Sequence, residues 1–216
     1  FTVSLLTEIV KNFYGIATRV ENWRNYPEED LAAQVLGFLN FEKQGNYGIE
    51  EEFDNQLRGY DGQIKIESDP MGRLIASNLK AEQIKDRQDG MDIYLTVDRV
   101  VQQNVQEMLE RTVKNTRANS GQAIIMDPYE GKIIAMAQYP TFNPNYFGEA
   151  YEMEKTLSDP GKGIPMFVKD EKGEYKEVPE NQRSGIPRNV EKYVYKNRIG
   201  PGAFYNSAVQ GTYEPG

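Results

Sequence analysis

Ala123-Ile124-Ile125-Met126-Asp127-Pro128-Tyr129-Glu130-Gly131-Lys132-Ile133-Ile134-Ala135-Met136-Ala137 is the stretch on which the reading of the fold turns. Two apolar runs, Gln122 to Met126 and Lys132 to Gln138, flank a turn of Asp127 to Gly131. Proline early in that turn and glycine at its end suit a type I turn closed by a glycine bulge. The pattern predicts a β-hairpin. Ile124 and Met126 fall on one face, Ala123 and Ile125 on the other, so both faces are expected to be covered. Cover for one face lies just upstream. Val97, Val101, Val105, Leu109 and Val113 form a stripe at four-residue spacing, reinforced by Val100 and Met108, which predicts a helix from about Asp98 to Asn119. Thr96 or Asp98 is placed to cap it.

Upstream of that helix, Met91 to Val97 reads as a strand and Gln88-Asp89-Gly90 as a turn; the composition shift near Gly90 to Thr96 marks a domain boundary. Gly48 to Leu57 reads as a helix with Ile49, Phe53 and Leu57 on one face and Glu50, Glu51, Glu52 and Asp54 around them, stopped by Gly59. Asp61-Gly62 turns the chain into the alternating Gln63 to Glu67; Asp69-Pro70-Met71-Gly72 turns it again into a partner strand, Arg73 to Ser77. Pro27 with Glu28, Glu29 and Asp30 signals a helix start whose buried face is Leu31, Val35 and Phe38. Leu5, Leu6, Ile9, Val10 and Phe13 predict a short amphipathic helix capped by Gly15, followed by an extended Ile16 to Trp23.

Downstream of the hairpin the pattern weakens. Gly, Pro, Lys and Glu dominate between Phe147 and Ala203, as in Asp159-Pro160-Gly161-Lys162-Gly163 and Asp170-Glu171-Lys172-Gly173-Glu174, which reads as a long, partly ordered insertion.

The 216 residues contain no cysteine and no histidine. Disulfides, thiol catalysis, cysteine or histidine metal sites and a Ser-His-Asp triad are thereby excluded. With 33 acidic against 25 basic residues, a net charge of -8, and no basic stripe, neither nucleic acid nor an anionic membrane surface is an expected partner. No run of about 18 apolar residues occurs. Phe1 and Glu214-Pro215-Gly216 are unusual ends for a fold, and the chain is read as a fragment of a longer protein.

Three segments resemble one family when taken in order: Asp89-Gly90-Met91-Asp92-Ile93-Tyr94-Leu95-Thr96-Val97-Asp98 with Gln102 or Gln103; the hairpin quoted above; and Tyr139-Pro140-Thr141-Phe142-Asn143-Pro144-Asn145. Together they look like the opening of the transpeptidase domain of class B penicillin-binding proteins. Asn206 to Gly216 is similar to the run that leads into that family's Ser-x-x-Lys motif. Gly15-Ile16-Ala17, Arg24-Asn25-Tyr26-Pro27 and Val35-Leu36-Gly37, then Gly48-Ile49-Glu50 and Leu57-Arg58-Gly59-Tyr60-Asp61-Gly62, resemble its pedestal or dimerisation domain. The resemblance implies an α+β fold: a small pedestal over residues 1–90, then over 91–216 the first helix and β-hairpin of a penicillin-binding transpeptidase domain, truncated, with an insertion at about 147–203. It further implies that the complete protein cross-links the wall by serine acyl transfer on peptidoglycan stem peptides and is trapped by β-lactams. It places that protein on the extracytoplasmic face of the bacterial membrane, held by an N-terminal helix that this chain lacks, and docks a glycan polymerase or other cell-wall machinery on the pedestal. The sequence departs from the family pattern in the length of the insertion and in stopping at Gly216, where the nucleophilic serine would follow. No catalytic, cofactor or metal residue is therefore assigned within the chain, and it is expected to be inactive alone.

Other chemistry-bearing patterns have plainer readings. Ser77-Asn78-Leu79-Lys80 matches Ser-x-x-Lys, but no Ser-Asp-Asn or Lys-Thr-Gly companion occurs, so it reads as a chance match. Glu50, Glu51, Glu52 and Asp54 read as a solvated helix face. Tyr139 to Tyr146 either lines a substrate groove or packs on the hairpin, and both readings stand. The insertion reads as a lineage-specific decoration in preference to a partner-binding surface, and Asn206, Tyr213 and Glu214 as residues positioning the loop that enters the active site. An interaction module without chemistry is the alternative function. A penicillin sensor or class D-like β-lactamase relative is disfavoured by the pedestal signatures.

Overall fold

The computed structural model describes residues 23–65, 82–187 and 189–211. Within them the chain is α+β, as expected. The expected helix over Leu5 to Phe13, the cap at Gly15, the strand Arg73 to Ser77 and the tetrapeptide Ser77 to Lys80 lie outside the described residues.

The helix expected after Pro27 is replaced by turns, and only α1 (Ala33–Leu36) is helical. The cause is backbone sign: Glu29 and Ala32 hold φ of 53° and 54°, which stop a right-handed helix and rotate the register when it resumes. Ala33 and Gln34 are buried in consequence, rather than Leu31 and Val35, and Phe38 falls in β1 (Phe38–Leu39), paired with β2 (Gly45–Asn46). Gly37 packs backbone on backbone: at φ 78°, a Cβ there would meet the Tyr47 carbonyl oxygen at 2.0 Å.

The expected helix over Gly48 to Leu57 is two, α2 (Gly48–Glu52) and α3 (Asp54–Arg58), broken at Phe53 (φ −110°). The break overturns the expected face. Glu50 is buried at 6% exposure while Phe53 is 36% exposed. β3 (Gln63–Lys65) pairs antiparallel with β4 (Glu82–Lys85).

Met91 to Val97 forms no strand; it starts with the Met91 amide donating to the Gln56 carbonyl at 2.8 Å and leads up to the long helix α4 (Arg99–Thr116). Asp98 caps α4, its carboxylate accepting from the Val100 and Val101 amides at 2.9 Å. Thr96 donates instead to the Ile133 carbonyl. β5 (Gly121–Met126) and β6 (Ile133–Tyr139) form the expected hairpin, antiparallel, with a bulge between Ile125 and Met126 and Gly131 at φ 70° in the turn. α4 also closes the outer edge of β6. The Asp98 amide donates to the Ile134 carbonyl at 2.8 Å, and the Gln102 carboxamide exchanges both hydrogen bonds with the Met136 peptide at 2.8 and 2.9 Å, like a rung of a missing strand. Gln102 and Val113 are the buried residues of α4, whereas Val100 and Met108 of the expected stripe are exposed. The two-sided cover expected for the hairpin is absent among the described residues: Ile124, Ile125 and Met126 are 47%, 39% and 53% exposed.

The region read as a partly ordered insertion is built. A 3-10 stretch (Pro144–Tyr151) leads to β7 (Met153–Thr156), β8 (Phe167–Lys169), β9 (Tyr175–Glu177) and β10 (Lys192–Tyr195), a sheet ordered β7-β10-β8-β9. Met166, Val178 and Val194 form its core. Arg183, 7% exposed on the 3-10 turn Glu180–Gly185, donates to the carbonyls of Gly161, Ile164 and Val178 and so replaces the backbone pairing that the loop lacks. The 3-10 turn Gly200–Phe204 and α5 (Ser207–Gln210) follow.

The main core joins distant parts of the chain. Tyr26, Ala33 and Phe38 pack with Phe142, Ala150, Ala203 and Phe204. Phe38 stacks on Phe147 at 4.5 Å, and Phe142 meets Phe204 edge-on at 4.7 Å.

Candidate functional site

Four side-chain carboxamides and one carboxylate cluster where the segment around α1 meets the hairpin and the last turns of the chain. Asn145 clasps Tyr26, accepting from its amide at 2.9 Å and donating to its carbonyl at 2.8 Å. The Gln106 side chain, from α4, accepts from the Ala32 amide and donates to the backbone and side-chain oxygens of Asp30. Gln34 donates to the Pro140 and Ala203 carbonyls, both at 3.1 Å. Gln138 donates to the Tyr205 carbonyl and accepts from the Ser207 amide and hydroxyl. Each carboxamide offers both a donor and an acceptor, which lets it stand in for a peptide group where two irregular backbones meet.

Beside this seam lies a small ionic centre. The Tyr26 hydroxyl donates to Glu50 at 3.1 Å and accepts from the Leu39 amide at 3.0 Å. Burial, and then the neighbouring Glu50 charge, raise the Tyr26 pKa well above the ordinary phenol value, so the hydroxyl stays a donor. Arg24 Nε lies 2.9 Å from Glu50 but its N–H is not aimed along that line; Nη2 donates at 3.4 Å, so the contact is an ion pair with weak directionality. Asp30 is held above its usual carboxyl range by burial, which the hydrogen bonds it accepts offset only in part.

Of the residues singled out from sequence, Glu51 and Glu52 are solvated as expected, whereas Glu50 is the buried partner of Tyr26 and Arg24. The Tyr139 to Tyr146 segment divides: Phe142 is in the core and Tyr146 is 64% exposed. Asn206 caps α5 by accepting from the Ala208 amide. Tyr213 and Glu214 lie outside the described residues. Sequence reasoning missed Gln34, Gln106, Gln138, Asn145 and Arg183, because polar side chains at such positions look like surface. Among the described residues no group of acidic, histidine or cysteine side chains is placed to hold a metal ion, and no helix is long and apolar enough to cross a membrane. Structurally this is a joint, with no nucleophile and general base brought together in it.

Residues 2–95 match the model of the penicillin-binding protein dimerisation domain. The chain is 33% identical over 159 residues to the probable peptidoglycan D,D-transpeptidase PbpC of Pseudomonas aeruginosa, covering 71% of this chain and 28% of that protein. It is 34% identical over 162 residues to the peptidoglycan D,D-transpeptidase FtsI of Escherichia coli, covering 71% and 27%. A crystal structure of a peptidoglycan synthetase from Bifidobacterium adolescentis shares the fold, with a TM-score of 0.52 at 23% identity over 71% of this chain and 30% of that one. The match thus spans little more than a quarter of the length of these curated relatives.

Proposed function

We propose, since residues 2–95 are a class B penicillin-binding-protein-like dimerisation domain homologous to that of FtsI- and PenA-type D,D-transpeptidases, that this chain is the front part of a peptidoglycan D,D-transpeptidase. The observation that carries the reading is the order of parts: the pedestal signatures, the capped helix α4, the hairpin β5–β6 and the clamped segment before α5 follow one another as that enzyme requires. In the complete protein a serine attacks the penultimate D-alanine carbonyl of a stem peptide and D-alanine leaves. An amine of a neighbouring strand then resolves the acyl-enzyme. A nearby lysine takes the serine proton, and backbone N–H groups hold the oxyanion. β-Lactams acylate the same serine. On this reading residues 1–90 are the pedestal, 91–216 begin the transpeptidase domain, and 147–203 are an insertion carrying the β7–β10 sheet. The protein works on the extracytoplasmic face of the membrane, tethered by an N-terminal helix.

A fluorescent penicillin tests this. The complete protein should label and residues 1–216 should not. Acylation mapped to any residue of 1–216 overturns the assignment of the nucleophile, and a complete protein that fails to label overturns the enzyme. The second reading is a docking role for the pedestal toward a glycan polymerase. It is favoured by Phe53, left 36% exposed at the α2–α3 break. Capture of a purified polymerase by the complete protein should be lost in Phe53→Asp; undiminished capture removes Phe53 from the interface.

A further inference from the structure

Gln34 lies in the middle of α1, is 5% exposed, and reaches residues far along the chain. Its Nε2 donates to the Pro140 carbonyl and, 169 positions away, to the Ala203 carbonyl. Its own carbonyl accepts from Asn206 Nδ2 at 3.5 Å. From the hairpin side Gln138 donates to the Tyr205 carbonyl at 2.8 Å and accepts from the Ser207 amide at 2.9 Å. The stretch from Ala203 to Ser207 is thus gripped from both sides, by one residue of the pedestal and one of β6. This grip fixes the start of α5, whose cap, Asn206, belongs to it.

We propose that Gln34 is a positioning residue for acyl transfer: through Ala203 and Asn206 it sets where α5 ends, and hence where the nucleophile that follows the chain is presented. The inference rests on the transpeptidase reading above. Without the Gln34 donor two carbonyls in a buried seam lose their partner, and the segment relaxes toward other donors. A nucleophile displaced by about 1 Å loses on the order of a hundredfold in rate. Gln34 touches no substrate, so ground-state affinity is unaffected.

The test compares Gln34→Met, which keeps length and removes both donated hydrogen bonds, with Val113→Ala in α4, a loss of core packing that removes none of the hydrogen bonds of the grip. In the complete protein, the acylation rate constant with a fluorescent penicillin should fall on the order of tenfold or more in Gln34→Met. The noncovalent dissociation constant should hold, and Val113→Ala should acylate at the wild-type rate. Hydrogen exchange should show lost protection at Tyr205 to Gln210 in Gln34→Met, with β8 and β10 unchanged. If wild type acylates and Gln34→Met acylates equally fast, the positioning role is overturned. If Val113→Ala slows acylation as much, general stability explains the effect and the role is overturned as well. If wild type does not acylate, the transpeptidase reading fails. The grip is then judged by exchange alone: local loss of protection supports it and unchanged exchange overturns it.

Discussion

Asp30 shows what the seam demands of single residues. Its carboxylate accepts from Gln106 at 3.1 Å and is flanked by Glu29 and Glu110, with no cation among the groups acting on it. Burial raises its folded pKa above the ordinary 3.8, so the folded state holds the proton more tightly than the unfolded chain. Stability from this group is fully present below the unfolded value and is lost as pH rises through the folded one. Asp30→Asn keeps an acceptor for Gln106 and removes the charge. Its melting temperature should therefore exceed that of wild type at pH 7, and the difference should shrink toward zero as the pH falls below about 3.8. A difference that stays constant across that range would dissociate it from Asp30 ionisation. Residues of this kind were hard to read from sequence. Apolar spacing assigned the buried face near α1 to Leu31 and Val35. The left-handed turns at Glu29 and Ala32, which non-glycine residues seldom adopt, shifted it to Ala33 and Gln34.

At the scale of elements, the hairpin and α4 were legible because their signals are local: two apolar runs around Pro128 and Gly131, and a helix begun by Asp98. Which residues of α4 are buried was not legible. That depends on the helix lying along the edge of β6, where Gln102 serves the Met136 peptide and small Ala135 and Ala137 allow close approach. The β7–β10 sheet was invisible for another reason. Its strands are three or four residues long, too short to show a period, and its loops depend on Arg183. Arg183→Met should cost about 2–4 kcal/mol, since three carbonyls lose a charged donor inside the fold. Hydrogen exchange should then rise across β7 to β10 first and leave α4 protected; a uniform rise would mean that this sheet is not a separate unit of stability.

The whole molecule is held by a core to which neither half contributes enough alone. Tyr26, Ala33 and Phe38 need Phe142, Phe147 and Phe204, and ring pairs of this type are each worth about 0.5–1.5 kcal/mol beyond the area they bury. Residues 1–90 expressed alone should show no cooperative thermal transition, whereas 1–216 should melt with one for this core. A sharp melt of the short form would show that the pedestal has a core of its own. The family could be read from the sequence because its signatures are short and contiguous. The joint could not, since its partners stand far apart along the chain, 67 positions for Gln138 and Tyr205 and 119 for Tyr26 and Asn145. The bonds across that joint come mainly from the carboxamides of Gln34, Gln106, Gln138 and Asn145, groups without a proton to gain or a charge to be screened. Its alignment is therefore only weakly tied to ionic strength, and acidity reaches it chiefly through the Asp30 carboxylate to which Gln106 donates: across most changes of surroundings the halves stay in the same register.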